Sequence, residues 1–370
     1  MRLPTRFVRS SADRRQNRAE RAGHPMPSDF APGPLFVVGM WRSGTSLLYA
    51  LLNRHPQIAL MYEGELPVLW PLFSIGRRAN WPVKWDAWNH ALERHEIDIG
   101  SIPPGITDLR TACETVYKDY ARRKGAAIWG EKSPNFYDCM NRVAGIFPNP
   151  RFIVIWRNPL GVCRSVLRAA QDSPWFSRPG TIQRALLGCE RFRRECDRLL
   201  ERGVPVHQLQ YLDLTKDTEG AMRGVCKFLD IPYDARMTSL GGADRSAVYE
   251  GNHHKQVRSS SIVPPEMRSE VLPPDFKKKI QKYMRLWREE YGAEWPPPSR
   301  LPDQDFGKPS RFEMLWDRAQ YRGLRTFDLM VRVAYCFAPL GLWKAYRALK
   351  DHRRASPRPP ESHPQTTSSR

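Results

Sequence analysis

Residues 35–48 read LFVVGMWRSGTSLL, and this segment constrains the fold more than any other part of the chain. The apolar run from Leu35 to Val38 fits a buried parallel strand. Gly39 ends it, residues 42–46 make a polar turn, and a helical pattern begins at Leu47. A strand, a glycine turn and a helix in that order aim backbone N–H groups and a helix N-terminus at an anion, phosphate above all. Gly39 and Gly44 keep the glycine frame of the loop G-x-x-x-x-G-K-[ST], but Thr45 occupies the lysine position and the nearest cation is Arg42. That displacement weighs against a P-loop kinase or NTPase, in which the lysine cradles the β- and γ-phosphates beside magnesium.

Short apolar runs and amphipathic stretches alternate after this turn. Strands are expected at 35–38, 58–61, 126–129, 151–156 and 206–210, and helices at 45–54, 109–123, 136–147, 160–170, 181–202 and 219–229. This alternation predicts an α/β fold: a P-loop-NTPase-like, mainly parallel sheet flanked by helices. A further helix is expected from Pro265 to Tyr291, and a helical C-terminal extension over about 311–349. The domain reading is a disordered basic arm at 1–33, the principal domain at 34–298, a helical extension at 299–350 and a disordered tail at 351–370.

Charge narrows the partners. The net charge of +20 points to an anionic ligand, nucleic acid or a membrane surface, and much of it sits in the two ends. A non-catalytic basic binder is therefore the competing class, although nothing marks a specific nucleic-acid reader. Seven scattered cysteines without a C-x-x-C pair argue against a disulfide framework or a zinc site. The chain shows no apolar signal region at its start and no run of ~20 apolar residues, so a cytoplasmic protein is expected.

A second anion site is legible after the strand 151–156. Arg157 stands at the strand end and Ser165 about two turns into the next helix, so a guanidinium fork and a hydroxyl face one ligand. Two anion sites on one sheet suit a nucleotide phosphorylated at both ends of its ribose. With these residues in place, the chain resembles the sulfotransferases that use 3′-phosphoadenosine 5′-phosphosulfate (PAPS). Residues 41–46, WRSGTS, resemble that family's 5′-phosphosulfate loop in the branch reading R-S-G-T, shared by bacterial and protein-tyrosine sulfotransferases. Arg157 with Ser165 resembles its 3′-phosphate motif. Residues 209–214, LQYLDL, are similar to its Tyr-Glu-Asp-Leu stretch, which places Tyr211 beside the nucleotide. The resemblance covers roughly 34–295.

The resemblance implies transfer of a sulfuryl group from PAPS to an acceptor hydroxyl on a glycan, lipid or other small molecule, with no metal. Arg42, Ser43, Gly44, Thr45 and Ser46 are implied to bind the 5′-phosphosulfate, Arg42 also serving charge that develops there. Such a reaction needs a base for the hydroxyl and cations for the departing phosphate. Glu63 and Glu65 follow the second strand and offer two carboxylates to one cleft. Glu63 falls where protein-tyrosine sulfotransferases carry their catalytic glutamate, and Glu65 stays open as the alternative base. Lys132, in the stretch GEKSP that follows the third strand, matches the lysine implied to stabilise the bridging oxygen. Arg258 lies where relatives close a basic loop over the 3′-phosphate, although Ser259 replaces the usual glycine there. His253 and His254 read as polar loop residues, lacking a third metal ligand. Trp70, Trp81, Trp85 and Trp88 line an acceptor pocket or simply pack. The apolar stretch with basic flanks over 327–354 is either a membrane-lying helix or one packed on the domain. Oligomeric state is not encoded in any motif.

Overall fold

The computed structural model describes residues 33–67, 108–173, 175–178, 180–243, 272–292 and 306–337, with some residues between 85 and 106, at 248, 257, 262, 295 and 339, and between 341 and 348. The arm at 1–32, Trp70, Trp81, His253, His254, Arg258 and the tail at 351–370 lie outside the described residues.

Five strands form one parallel sheet: β1 (Leu35–Gly39), β2 (Ile58–Tyr62), β3 (Ile128–Lys132), β4 (Arg151–Trp156) and β5 (Val206–Gln210). Their spatial order is β2-β3-β1-β4-β5. The chain leaves β1 towards β2 on one side and later passes from β3 over to β4 on the other. This reversal opens a crevice at the carboxyl ends of β1 and β4, where sheets of this kind bind ligands.

Burial on both faces follows from the strand sequences. Along β1, Phe36 and Val38 join one apolar cluster and Leu35 and Val37 the other, the alternation of a strand covered on both sides. The first cluster is completed by α2 (Leu109–Arg123), α3 (Met140–Ala144), α4 (Pro159–Asp172), α5 (Thr181–Glu201) and α8 (Pro274–Tyr291). The second is completed by α1 (Thr45–Leu52), α6 (Tyr211–Lys216) and α7 (Thr218–Leu229). A long helix, α9 (Arg311–Phe337), follows in the C-terminal region.

Two elements differ from the sequence expectation in ways that matter to the site. β3 starts two residues late and runs on through Glu131 and Lys132, pairing Val37 with Lys132 on one side and Tyr62 with Lys132 on the other. Lys132 is therefore a strand residue and not a loop residue. Two charged side chains at a strand end mask its periodicity, but both are fully buried. The helix expected over 136–147 is a 3₁₀ turn, Pro134–Asp138, followed by the short α3. Cys139 between them, at φ −145° and ψ 19°, is neither helical nor extended and interrupts the helix.

Gly130 shows how tightly the central strands are set. Its φ is +147°, and a Cβ there would stand 2.0 Å from the carbonyl oxygen of its pairing partner Leu35. Gly130→Ala is therefore expected to cost about 3 kcal/mol, through strain and a clash with backbone that has no rotamer to escape into. Urea unfolding measures this; a midpoint equal to that of the wild type would show that β1 and β3 yield freely.

Candidate active site

The crevice is built first by glycine. Gly39 lies against Ile155, where a Cβ would approach Cγ2 at 2.7 Å and the carbonyl oxygen at 2.9 Å. Gly44, at φ +99°, is packed on the Tyr211 ring, whose Cδ2 would stand 2.4 Å from an added Cβ. Only glycine fits these two places, so the turn hugs the sheet and α1 begins at once with no side chain capping it. The N–H groups of the first helical turn are thus presented towards the carboxyl end of the sheet. Ser43 is buried, and its hydroxyl is without a hydrogen-bond partner among the described residues. A buried orphan hydroxyl in such a turn fits a loop shaped to receive an oxyanion.

Arg42 joins the two anion sites that the sequence suggested separately. Its φ of +66° is uncommon for a side chain of this size. The Arg157 guanidinium donates to the Arg42 carbonyl at 2.6 Å and so holds that backbone in place. The Arg42 Nε in turn donates to Ser165 Oγ at 3.2 Å. Arg157 lies over the Tyr211 ring, 4.5 Å from its centroid. Tyr211 is buried and touches both Gly44 and Arg157, which makes it a platform for the loop and the strand-end arginine together. Burial, then the positive charge of Arg157 and, more weakly, Arg168, lowers the Arg42 pKa to about 10; Tyr62 and Glu63 act in the opposite direction. Gathering like charges in a buried place is unfavourable without an anion to share. Arg168 was not singled out from the sequence, although it sits three residues beyond Ser165 on one face of α4.

On the other side of β1, Lys132 is fully buried and forms an ion pair with Glu63. Its Nζ donates to Ser46 Oγ at 3.1 Å and lies 3.8 Å from the centroid of the Tyr62 ring. The Tyr62 hydroxyl shares a 2.8 Å hydrogen bond with Ser46. Burial pulls the Lys132 pKa below its ordinary value, and the Glu63 carboxylate counteracts that pull. Lys132, Ser46, Tyr62 and Glu63 thus form one connected group beside the donor loop. Tyr62 is a second residue that sequence reasoning missed, since it reads as an ordinary strand aromatic.

The two candidate carboxylates differ in setting. Glu63 and Glu65 both have positive φ, 48° and 58°. Glu65 accepts from the Asn135 amide, whose oxygen accepts from Trp41 Nε1 at 2.8 Å. The backbone N–H of Glu65 donates to the buried Glu131 carboxylate, which also accepts from the Tyr117 hydroxyl. Glu65 is thus part of the scaffold that shapes the loop, whereas Glu63 contacts Lys132. Of the tryptophans, Trp85 and Trp88 pack together in the core with ring centroids 5.6 Å apart, and Trp85 Nε1 donates to the Gly100 carbonyl at 2.8 Å. Their place is packing rather than an acceptor wall.

Burial drives the Glu131 pKa up from 4.5 to about 8, outweighing the hydrogen bonds from Tyr117 and the Glu65 and Leu66 backbone; nearby Glu65 adds to the rise. Between those two values the folded chain holds a proton that the unfolded chain has released, so stability falls as pH rises across that window. The slope is at most about 1.4 kcal/mol per pH unit. Glu131→Gln is expected to flatten it: urea midpoints at pH 5 and pH 8.5 should lie closer together than in the wild type. An undiminished difference in the variant would assign the pH dependence to other groups.

Comparison with known proteins identifies the family and the fold. The model of the sulfotransferase family matches residues 34–235, more than half of the chain. Nodulation protein H of Rhizobium tropici is 27% identical over 223 residues, covering 56% of this chain and 79% of that protein. An uncharacterised protein of Aquifex aeolicus is 24% identical over 298 residues; these cover 72% of this chain but 35% of that longer protein. Among solved structures, the sulfotransferase domain from the curacin biosynthetic pathway superposes with a TM-score of 0.51 at 18% identity, covering 71% of this chain and 98% of that domain. That likeness concerns the fold.

Proposed function

Since this chain belongs to the sulfotransferase family, we propose that it moves a sulfuryl group from PAPS to an acceptor hydroxyl. The observation that carries the reading is the crevice between β1 and β4, where Arg42, Arg157 and Arg168 converge beside an uncapped helix start and the orphan hydroxyl of Ser43. An anion with phosphates at two points satisfies all of these groups at once. Ser43, Gly44, Thr45 and Ser46 supply the loop for the 5′-phosphosulfate. Arg157 and Ser165 take the 3′-phosphate side, Arg42 belongs to the 5′ loop and reaches Ser165 from it, and Tyr211 positions Arg157 and the loop. Arg258 remains part of the proposal as a closing residue.

Chemistry then falls to the group beside the loop. The acceptor oxygen forms a bond to sulfur as the bond from sulfur to the bridging oxygen breaks, and adenosine 3′,5′-bisphosphate departs. Glu63 takes the hydroxyl proton. Lys132, held near Ser46, meets the negative charge that gathers on the bridging oxygen. Arg42 assists from the loop. Glu63 is favoured over Glu65 because the Glu65 carboxylate is engaged by Asn135 within the Trp41 network.

Two variants separate binding from chemistry. Arg157→Ala is expected to weaken adenosine 3′,5′-bisphosphate binding about 10- to 100-fold by calorimetry, from the loss of a charge-assisted contact. Glu63→Gln is expected to lower sulfuryl transfer from labelled PAPS about 10²- to 10⁴-fold while changing nucleotide binding far less. Because Glu63 partners a buried lysine, each variant is checked for intact folding. Equal effects of both variants on binding and turnover would overturn the role assignment. No nucleotide binding by the wild type, with no product from hydroxyl-bearing glycan, lipid or phenol pools, would overturn the donor.

A further inference from the structure

α9 is attached to the domain by its polar face. Asp317 is buried, pairs with Lys279 and accepts from the Tyr283 hydroxyl at 3.0 Å. Glu313 meets Lys282 at 3.0 Å, Asp328 meets Arg184 at 2.6 Å, and Arg325 pairs with Asp138. Residues 313, 317, 321, 325 and 328 recur at helical spacing, so they share the inward side. The opposite side is apolar. Phe312, Leu315, Trp316, Phe327 and Met330 are between 58% and 76% exposed, with the exposed Ala319 and Gly323 continuing the same stripe. Beyond Pro339, Leu342 and Tyr346 are exposed as well. A helix on a domain surface ordinarily buries its apolar face and wets its polar one. Here the ion pairs hold the reverse orientation, and a contiguous apolar stripe of this size signals a partner.

The border of the stripe indicates which partner. Arg311, Arg318 and Arg322 are exposed along one edge. Next to them is a cavity of about 410 Å³ between α5 and α9, lined by Arg191, Arg194, Arg318, Arg322 and Arg325 against only Glu190 and Asp138. Within it Arg191 meets Glu195, Arg194 meets Glu190 and Glu290, and Arg325 meets Asp138, so the positive charge presented outward beside the apolar surface is that of the exposed border, Arg311, Arg318 and Arg322. A nucleic acid would satisfy the arginines and leave the stripe in water. A second copy of the chain, itself carrying +20, would bring the arginine borders together without compensation.

We propose that the outer face of α9 docks on an anionic phospholipid surface. The apolar stripe enters the headgroup–acyl boundary, and the arginines of its border, Arg311, Arg318 and Arg322, engage lipid phosphates. The stripe begins at Phe312, well before the segment 327–354 suggested by the sequence. This inference is independent of the sulfuryl-transfer reading, since none of these residues belongs to the donor crevice.

Vesicle flotation of the full chain tests it, using phosphatidylcholine vesicles with and without 30% phosphatidylglycerol as the probes. The wild type is expected to partition at least tenfold more strongly onto the anionic vesicles. The double variant Phe312→Ser with Trp316→Ser changes no charge and points outward, so its circular dichroism and unfolding should match the wild type while its partitioning falls at least tenfold. Removing Arg318 and Arg322 as serines should lower partitioning about fivefold per arginine. Undiminished binding by the Phe312/Trp316 variant would overturn the proposal, assigning binding to the basic ends by charge alone. Absence of wild-type binding to anionic vesicles would also overturn it, as would a wild-type dimer in sedimentation that the variant dissociates.

Discussion

The site depends on a lysine taken fully out of water at the end of a central strand. Lys132 could not remain there alone, because stranding its charge by removing the partner costs about 3–5 kcal/mol. Its environment answers that cost with three contacts: the Glu63 carboxylate, the Ser46 hydroxyl and the face of Tyr62. Each partner comes from a different element, so satisfying one ammonium aligns the loop after β2, the first turn of α1 and the end of β2 itself. The same requirement places a cation and a carboxylate beside the anion-binding turn. In the proposed mechanism, stability and chemistry therefore share one set of contacts.

Across β1 the logic is reversed. Arg42, Arg157 and Arg168 are close enough that their mutual repulsion, together with burial, lowers the Arg42 pKa. Hydrogen bonds to the Arg42 carbonyl and to Ser165 hold this arrangement in place. Lys132 is paired with the Glu63 carboxylate, and the arginine side gathers guanidinium groups at the crevice. Under the proposed function, this arrangement receives a ligand with anionic groups spread along its length.

α9 shows a different use of charge. Its carboxylates and Arg325 anchor it to the domain, and this anchoring turns its aromatic and aliphatic residues outward. Composition alone gives such a helix an apolar face and a polar face. Which of them faces the domain is decided by the partners already there, namely Lys279, Lys282, Arg184 and Asp138.

The strand–turn–helix at 35–48, the parallel α/β architecture and the pair Arg157 and Ser165 were legible from local pattern, because backbone turns and strand-end positions are encoded by neighbours in sequence. The end of β3 was not, because Glu131 and Lys132 look like loop residues until burial and long-range partners are known. Tyr62 and Arg168 were overlooked for the same reason: an aromatic in a strand and an arginine in a helix gain a role only from what is folded against them. Trp85 and Trp88 were undecided in the sequence, and the structure places them in the core. By itself, then, the sequence determined the chain's class, its glycine turn between β1 and α1 and the kinds of side chain available to it. The tertiary structure alone decided that Arg42 contacts both Arg157 and Ser165, that Glu63 rather than Glu65 meets Lys132, and that α9 faces outward with its apolar side. Each of these depends on ion pairs and hydrogen bonds between residues far apart in the chain, which no local pattern specifies.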